Sequence, residues 1–223
     1  MKLYYPEIIP EIIFTENRPV VLSIENQRLY REFLANLWVQ KDGGDGKISI
    51  QDDAKEKKLS KDICVITSPL NLDCNDRKII SKVYSQLKEK LLEEHYQEYI
   101  SVNSHLTSFL DEILQEEIYP FSFELEPNIE DLFKLYHVHL DYESSDLLEQ
   151  TVNYIALYHQ VFRCEYYIIV GLKAFFTNEE LERFYEFCSY EKVMVLLVES
   201  ISRPALSNEN NIIIDEDNCV ICV

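Results

Sequence analysis

The chain has 223 residues, of which 47% are apolar and 12% aromatic, enough to bury a core as one large domain or two small ones and too many for a disordered tail. Only 4 Gly exclude a Gly-rich linker and leave little for a phosphate-binding loop. The formal net charge of −19, from 40 acidic against 21 basic residues, argues against an ordinary monomeric nucleic-acid binder, which is basic.

The Met1 end reads MKLYYPEIIPEIIF and has no continuous apolar h-region, so no signal peptide is expected. No run reaches the roughly 18 apolar residues of a membrane span. Six Cys in a chain without a leader suggest a cytoplasmic protein with free, mostly buried thiols. Residues 3–5 and 12–14 are short strand candidates. VVLSIE, after Pro19, is a buried strand. Asn26 then caps a helix whose apolar positions Leu29, Phe33, Leu34, Leu37 and Trp38 share one stripe.

A strand, a turn and a helix in this order form the setting of a nucleotide-binding P-loop, yet the turn reads SIENQR. It lacks the glycines that let backbone N–H groups reach phosphates and the closing GK[ST]. KDGGDG at 41–46 resembles a calcium loop only superficially: with Asp42 as first ligand, Lys47 stands where glycine is needed. Residues 47–50 and 62–67 are further strand candidates. Two long helices follow, one through Ile79, Val83, Leu87 and Leu91, the next through Leu106, Phe109, Leu110 and Ile113, with a break expected at Ser101 or Asn103. The alternation in 121–125 and 138–142 predicts two strands flanking a short helix at 129–136. Beyond Asp146 come helix, buried strand YYIIV, helix, buried strand VMVLLV and a terminal strand pair. Strands alternating with helices imply an α/β core, interrupted by a helical insertion at 76–119.

Cys219 and Cys222 form a CxxC, but CVICV reads as a buried strand rather than a redox or zinc motif. His137 and His139 would share one strand face and lack a third ligand. From Asp111 to Glu149 there are 12 acidic residues and one basic, a net of −11. Glu124, Glu126, Glu130, Asp131 and Asp141 within it are candidate Ca²⁺ ligands, because clustered carboxylates suit that ion. The competing reading is a solvated acidic face. From Lys55 to Lys90, 9 basic and 5 acidic residues give +4. There is no GxSxG, no HExxH and no paired acid and base, so no enzyme constellation emerges.

The succession of segments is similar to a known family, the small CRISPR-associated protein of type II-A loci that forms rings and assists spacer acquisition. LFKLYHVHLD with SSDLLEQTVNYIALY resembles its helix–strand–helix, and YYIIVGLKAFFTNEELERFYEFC with KVMVLLVES its strand, AFFT turn, helix and strand. IIIDEDNCVI resembles its close, and the early VVLSIEN with FLANLW also fits. The resemblance implies a degenerate P-loop-NTPase-like head domain, residues 1–75 and 120–223, with an inserted α-helical leg, 76–119. It implies a non-catalytic homotetrameric ring, stabilised by Ca²⁺ (Ca2+ among the acidic residues), that encircles linear double-stranded DNA with free ends during CRISPR adaptation, an antiviral defence. It also implies partnership with the adaptation integrase proteins and the type II effector nuclease, and no membrane. Candidate phosphate contacts are Lys55, Lys57, Lys58 and Lys61, with Arg28 and Arg31 as second choices; a solvated turn is the competing reading. Alternatives are a nucleotide-binding or hydrolysing enzyme of the same core, or an acidic protein-interaction module without DNA contact.

Overall fold

The structure, a computed structural model, describes residues 1–52, 55–142 and 144–222. It divides into two compact units, Met1–Asp73 with Tyr142–Val223, and Cys74–Asp141. Residues 120–141 therefore group with the long helices.

The first unit holds β1 (Lys2–Tyr5), β2 (Ile8–Ile13), β3 (Val20–Ile24), α1 (Gln27–Lys41), β4 (Ser49–Asp52), β5 (Lys55–Lys57), α2 (Leu59–Asp62) and β6 (Ile63–Ile66) before the excursion. Its central sheet has the order β10-β9-β3-β8-β7-β6, once α6 (Leu147–Phe162), β7 (Tyr166–Val170), α7 (Asn178–Glu191), β8 (Met194–Glu199), β9 (Asn210–Ile214) and β10 (Val220–Cys222) have been added. All pairings are parallel except β10 with β9. Parallel sheets need cover on both faces, and β8 shows it residue by residue. Met194, Leu196 and Val198 enter one core with α1, α2 and the small sheet. Val195 and Leu197 enter the other with α6 and α7. The small sheet, β2-β1-β4-β5, is antiparallel throughout. The chain is thus α/β. β5 and α2 were not anticipated, because KEK and LSKD are too short and polar to register as elements.

Caps fix the helices of this unit. Asn26 Oδ1 accepts from the N–H groups of Arg28 (3.1 Å) and Leu29 (3.0 Å). Thr177 and Glu180 form a reciprocal capping box ahead of α7. At the end of β7, Gly171 adopts φ +74° and opens a single 3₁₀ turn, Leu172–Ala174. In the α1–β4 turn a Cβ on Gly46 would collide with the Gln40 side chain, whose amide bridges Ile48 N and O at 2.8 Å each. Packing therefore explains that glycine without calcium chemistry.

The second unit comprises α3 (Arg77–Glu94), α4 (Tyr96–Gln115) and α5 (Ile129–Leu135). The break between the long helices falls at His95, not at Ser101 or Asn103. Asn103 lies inside α4, and its side-chain amide donates to Leu125 O at 2.7 Å. Tyr99 Oη likewise donates to Pro127 O at 3.3 Å. Residues 121–125 and 138–142 are not strands among the described residues. Their apolar alternation had no neighbouring strand to pair with, and their carbonyls are met by side chains instead: Leu125 by Asn103, Val138 by Tyr84 Oη at 2.6 Å. The Asn75 amide pairs both backbone groups of Leu140, at 2.9 and 2.8 Å.

Candidate functional site

The P-loop position is the turn from β3 to α1, at the C-terminal ends of parallel strands, where α/β proteins hold ligands. Here the turn is already satisfied by its own side chains. The Arg28 and Leu29 N–H groups, which a phosphate would use, donate to Asn26. Glu25 N donates to Ile214 O at 2.8 Å, and the Glu25 carboxylate accepts from Ser202 N at 3.2 Å. Glu199 ends the neighbouring strand β8. Two carboxylates and a self-capped helix oppose an anion at this place.

Behind that turn lies a buried polar network that sequence reasoning missed. Lys173 Nζ donates to Glu209 Oε1 at 2.6 Å, with side chains 3% and 0% exposed. Tyr185 Oη donates to Glu209 Oε2 at 2.7 Å, and Leu206 N and Asn211 Nδ2 donate to Oε1. Lys173 N donates to Glu199 Oε1 at 2.9 Å. Burial raises the Glu199 carboxyl above its ordinary value, a rise opposed by the Lys173 N–H and by the Arg203 and Lys173 charges. Burial also pushes the Tyr185 phenol up. The network ties the loop between β8 and β9 to α7 and to the 3₁₀ turn. A charge directly after a buried run, as in VLLVE and IIVGLK, was the available signal for Glu199 and Lys173. Glu209, in a polar loop, carried none.

Lys55, Lys57, Lys58 and Lys61 come together at the edge of the small sheet. Lys55 and Lys57 lie on β5, Lys58 precedes the first turn of α2 and Lys61 lies within it. Lys57 Nζ sits 3.5 Å from Asp62, while Lys55, Lys58 and Lys61 are exposed. Lysines on an edge strand also deter edge-to-edge pairing. Arg28 and Arg31 stand in the first turns of α1, whereas its C-terminal end approaches α2, with Gly43 beside Ser60. Arg28 is paired with Glu32 at 3.0 Å.

The acidic candidates are dispersed over different settings. Glu124 and Glu126 lie in coil rather than on a strand face, Glu130 and Asp131 occupy the first turn of α5, and Asp141 is in coil. Asp131 pairs with Lys134 at 2.7 Å. Among the described residues no three His, Cys, Asp or Glu side chains gather as a metal site. His137 and His139 share no strand face either: His137 has φ 48°, and His139 Nδ1 lies 2.8 Å from its carbonyl oxygen. Cys64, Cys164 and Cys188 are buried, and burial raises the Cys188 thiol; Cys219 is exposed just before β10.

A six-stranded, mainly parallel α/β unit with a self-capped P-loop position, joined in sequence to a helical excursion, defines the class of this protein. The family model for CRISPR-associated protein (Cas_Csn2) matches residues 40–218, and the chain belongs to that family. The role that goes with the family is in CRISPR adaptation, as part of CRISPR defence. CRISPR-associated protein Csn2 of Enterococcus faecalis is 22% identical over 169 residues, covering 74% of this chain and 75% of the relative. A solved structure from Pyrococcus furiosus, described as an ABC transporter ATP-binding protein, aligns with a TM-score of 0.37 and 12% identity, covering 94% of this chain and 93% of that one. No helix among the described residues is long and apolar enough to cross a membrane.

Proposed function

We propose that the protein acts in CRISPR adaptation as a non-catalytic, sequence-independent binder of linear double-stranded DNA, assembled as a homotetrameric ring. Family membership carries this reading. Three features support it. The P-loop position is capped by Asn26 and flanked by Glu25 and Glu199, which disfavours nucleotide hydrolysis there. Lys55, Lys58 and Lys61 present an exposed cationic patch in a chain of net charge −19, suited to phosphate contact without base readout. Helix α4 buries none of its residues, while Tyr96, Ile100, Leu106, Phe109, Leu110 and Ile113 are exposed on it, an apolar surface that a second copy of the chain would cover. In this reading Ca²⁺ bridges carboxylates supplied by more than one copy, because one copy gathers no three of them among its described residues. The integrase proteins and the effector nuclease of the same system are its proposed partners.

The deciding experiment compares linear DNA with covalently closed circles of the same length in a gel shift, alongside sedimentation in calcium and in chelator. A closed ring threads onto ends, so linear DNA should bind and closed circles should not. The sedimentation mass should be four times 26.4 kDa in calcium. Equal binding of the two DNA forms sinks the ring, and a monomer mass in calcium sinks the assembly.

A further inference from the structure

The solvent side of α1 pairs cations with an unburied indole. Arg28, Arg31, Ala35 and Trp38 follow one another at spacings of three and four residues, which places them along one stripe of the helix. Trp38, whose spacing grouped it with the apolar stripe of Leu29, Phe33 and Leu37, is instead 55% exposed, and it is the only tryptophan of the chain. Lys41 Nζ lies 4.4 Å from its ring centroid and adds a third cation at the C-terminal end of the stripe. Arg31 and Ala35 are exposed, and the Arg28 side chain is 82% exposed despite its pairing with Glu32. The helix thus carries Arg28, Arg31 and Lys41 against Glu32, a net of +2 within a chain of −19. At about 1.5 Å of rise per residue, Trp38 stands roughly 10 Å along the helix from Arg31. Ala35, one turn before the indole, carries only a methyl group on this stripe.

We infer that this stripe binds unpaired nucleotides at a DNA end, with a base stacked on Trp38 and the flanking phosphates on Arg31, Arg28 and Lys41. The inference rests on the reading of the chain as a DNA-binding protein and adds to it a second, chemically distinct contact. A lysine patch suffices for a duplex backbone, whose bases are stacked on one another and offer no face to an aromatic ring. An exposed indole between cations suits the opposite case, in which bases lack a stacking partner and every base presents a π-face. Cationic surroundings favour a polyanion over an apolar protein surface at the same place. Such stacking tolerates any sequence, consistent with a protein that handles arbitrary DNA ends.

Because Trp38 is unique in the chain, its intrinsic fluorescence reports on this site alone. The probes are a blunt duplex and the same duplex with a single-stranded thymidine tail, titrated into the full chain. The tail should quench Trp38 emission and bind more tightly than the blunt form. Trp38→Ala should lose about fivefold or more of affinity for the tailed duplex and leave blunt-duplex affinity unchanged, and Trp38→Phe should keep part of the tail's advantage. Arg31→Glu should weaken the tailed duplex more than the blunt one. Equal binding of both duplexes with unchanged emission overturns the stripe while duplex binding stands. A tail advantage that survives Trp38→Ala overturns it too. Emission indifferent to DNA but quenched by polyglutamate would assign the stripe to an acidic polypeptide instead. Failure of either duplex to bind overturns this inference together with the DNA-binding reading beneath it.

Discussion

Strand β8 and helix α4 carry comparable apolar side chains and treat them in opposite ways. All six residues of β8 are buried, and its five apolar ones alternate between the two cores on either face of the sheet. None of the twenty residues of α4 is buried, although Ile100, Leu106, Phe109, Leu110 and Ile113 recur at helical spacing. Apolar periodicity in the first unit therefore stabilises the monomer, whereas in α4 it supplies a surface. The same contrast extends to charge. In the first unit, Lys173 and Glu209 are buried against each other, while the ion pair of α5, Lys134 with Asp131, has side chains 60% and 62% exposed. Exposed pairs contribute little, and buried ones are costly to break.

The largest test of this contrast removes the buried cation. Lys173→Ala leaves Glu209 uncompensated in a dry interior and should lower stability by about 3–5 kcal/mol, read as a fall in the denaturation midpoint. Lys134→Ala, in a solvent-exposed pair, should leave that midpoint nearly unchanged. Comparable losses from the two variants would abolish the distinction.

Matched leucines sharpen it next. Leu196→Ala, in the middle of β8, should cost about 2–5 kcal/mol, since it opens a cavity among immobile neighbours. Leu106→Ala, 48% exposed on α4, should change the stability of the monomer by about 0.5 kcal/mol or less while weakening self-association. Chemical denaturation at low protein concentration, with sedimentation at high concentration, separates the two effects.

The smallest effect concerns Glu199. Burial raises its carboxyl in the folded state. Above the ordinary carboxylate value near 4.3 and up to the raised one, the folded chain holds more protons than the unfolded chain. Its contribution to stability therefore falls as pH rises through the folded value. Glu199→Gln keeps an acceptor for Lys173 N–H and removes the charge. The variant should melt higher than wild type at neutral pH, by a few degrees at roughly 2–4 °C per kcal/mol, and the gap should close near pH 4. A gap independent of pH would refute the assignment.

The comparison also shows how much was legible in the chain. Runs such as VVLSI, YYIIV and VMVLLV could only be strands covered on both faces, because no alternation left a solvent side. Asn26 and Asp146 stand ahead of amphipathic stretches, and both accept from helix N–H groups. Residues 121–125 and 138–142 misled for the complementary reason. A period of two is necessary for a half-buried strand but not sufficient, and neither segment acquired a partner edge. The same loss moved Glu124 and Glu126 off a shared face. Of the candidate site, the lysine cluster was legible since its members lie within seven residues of sequence, Lys55 to Lys61.

Local order in the sequence determined the α/β character, the helical excursion, the missing phosphate loop and the positive segment, since each depends on residues a few positions apart. The meeting of Lys173, Tyr185, Glu199 and Glu209 was decided by the tertiary structure alone. It requires the loop after β8 to cross over to β9 on the far side of β3, which no spacing along the chain expresses. Likewise the sequence set both apolar periodicities, in β8 and in α4. Only packing decided which of them would be covered within one chain, because burial is a property of what lies opposite a side chain rather than of the side chain itself.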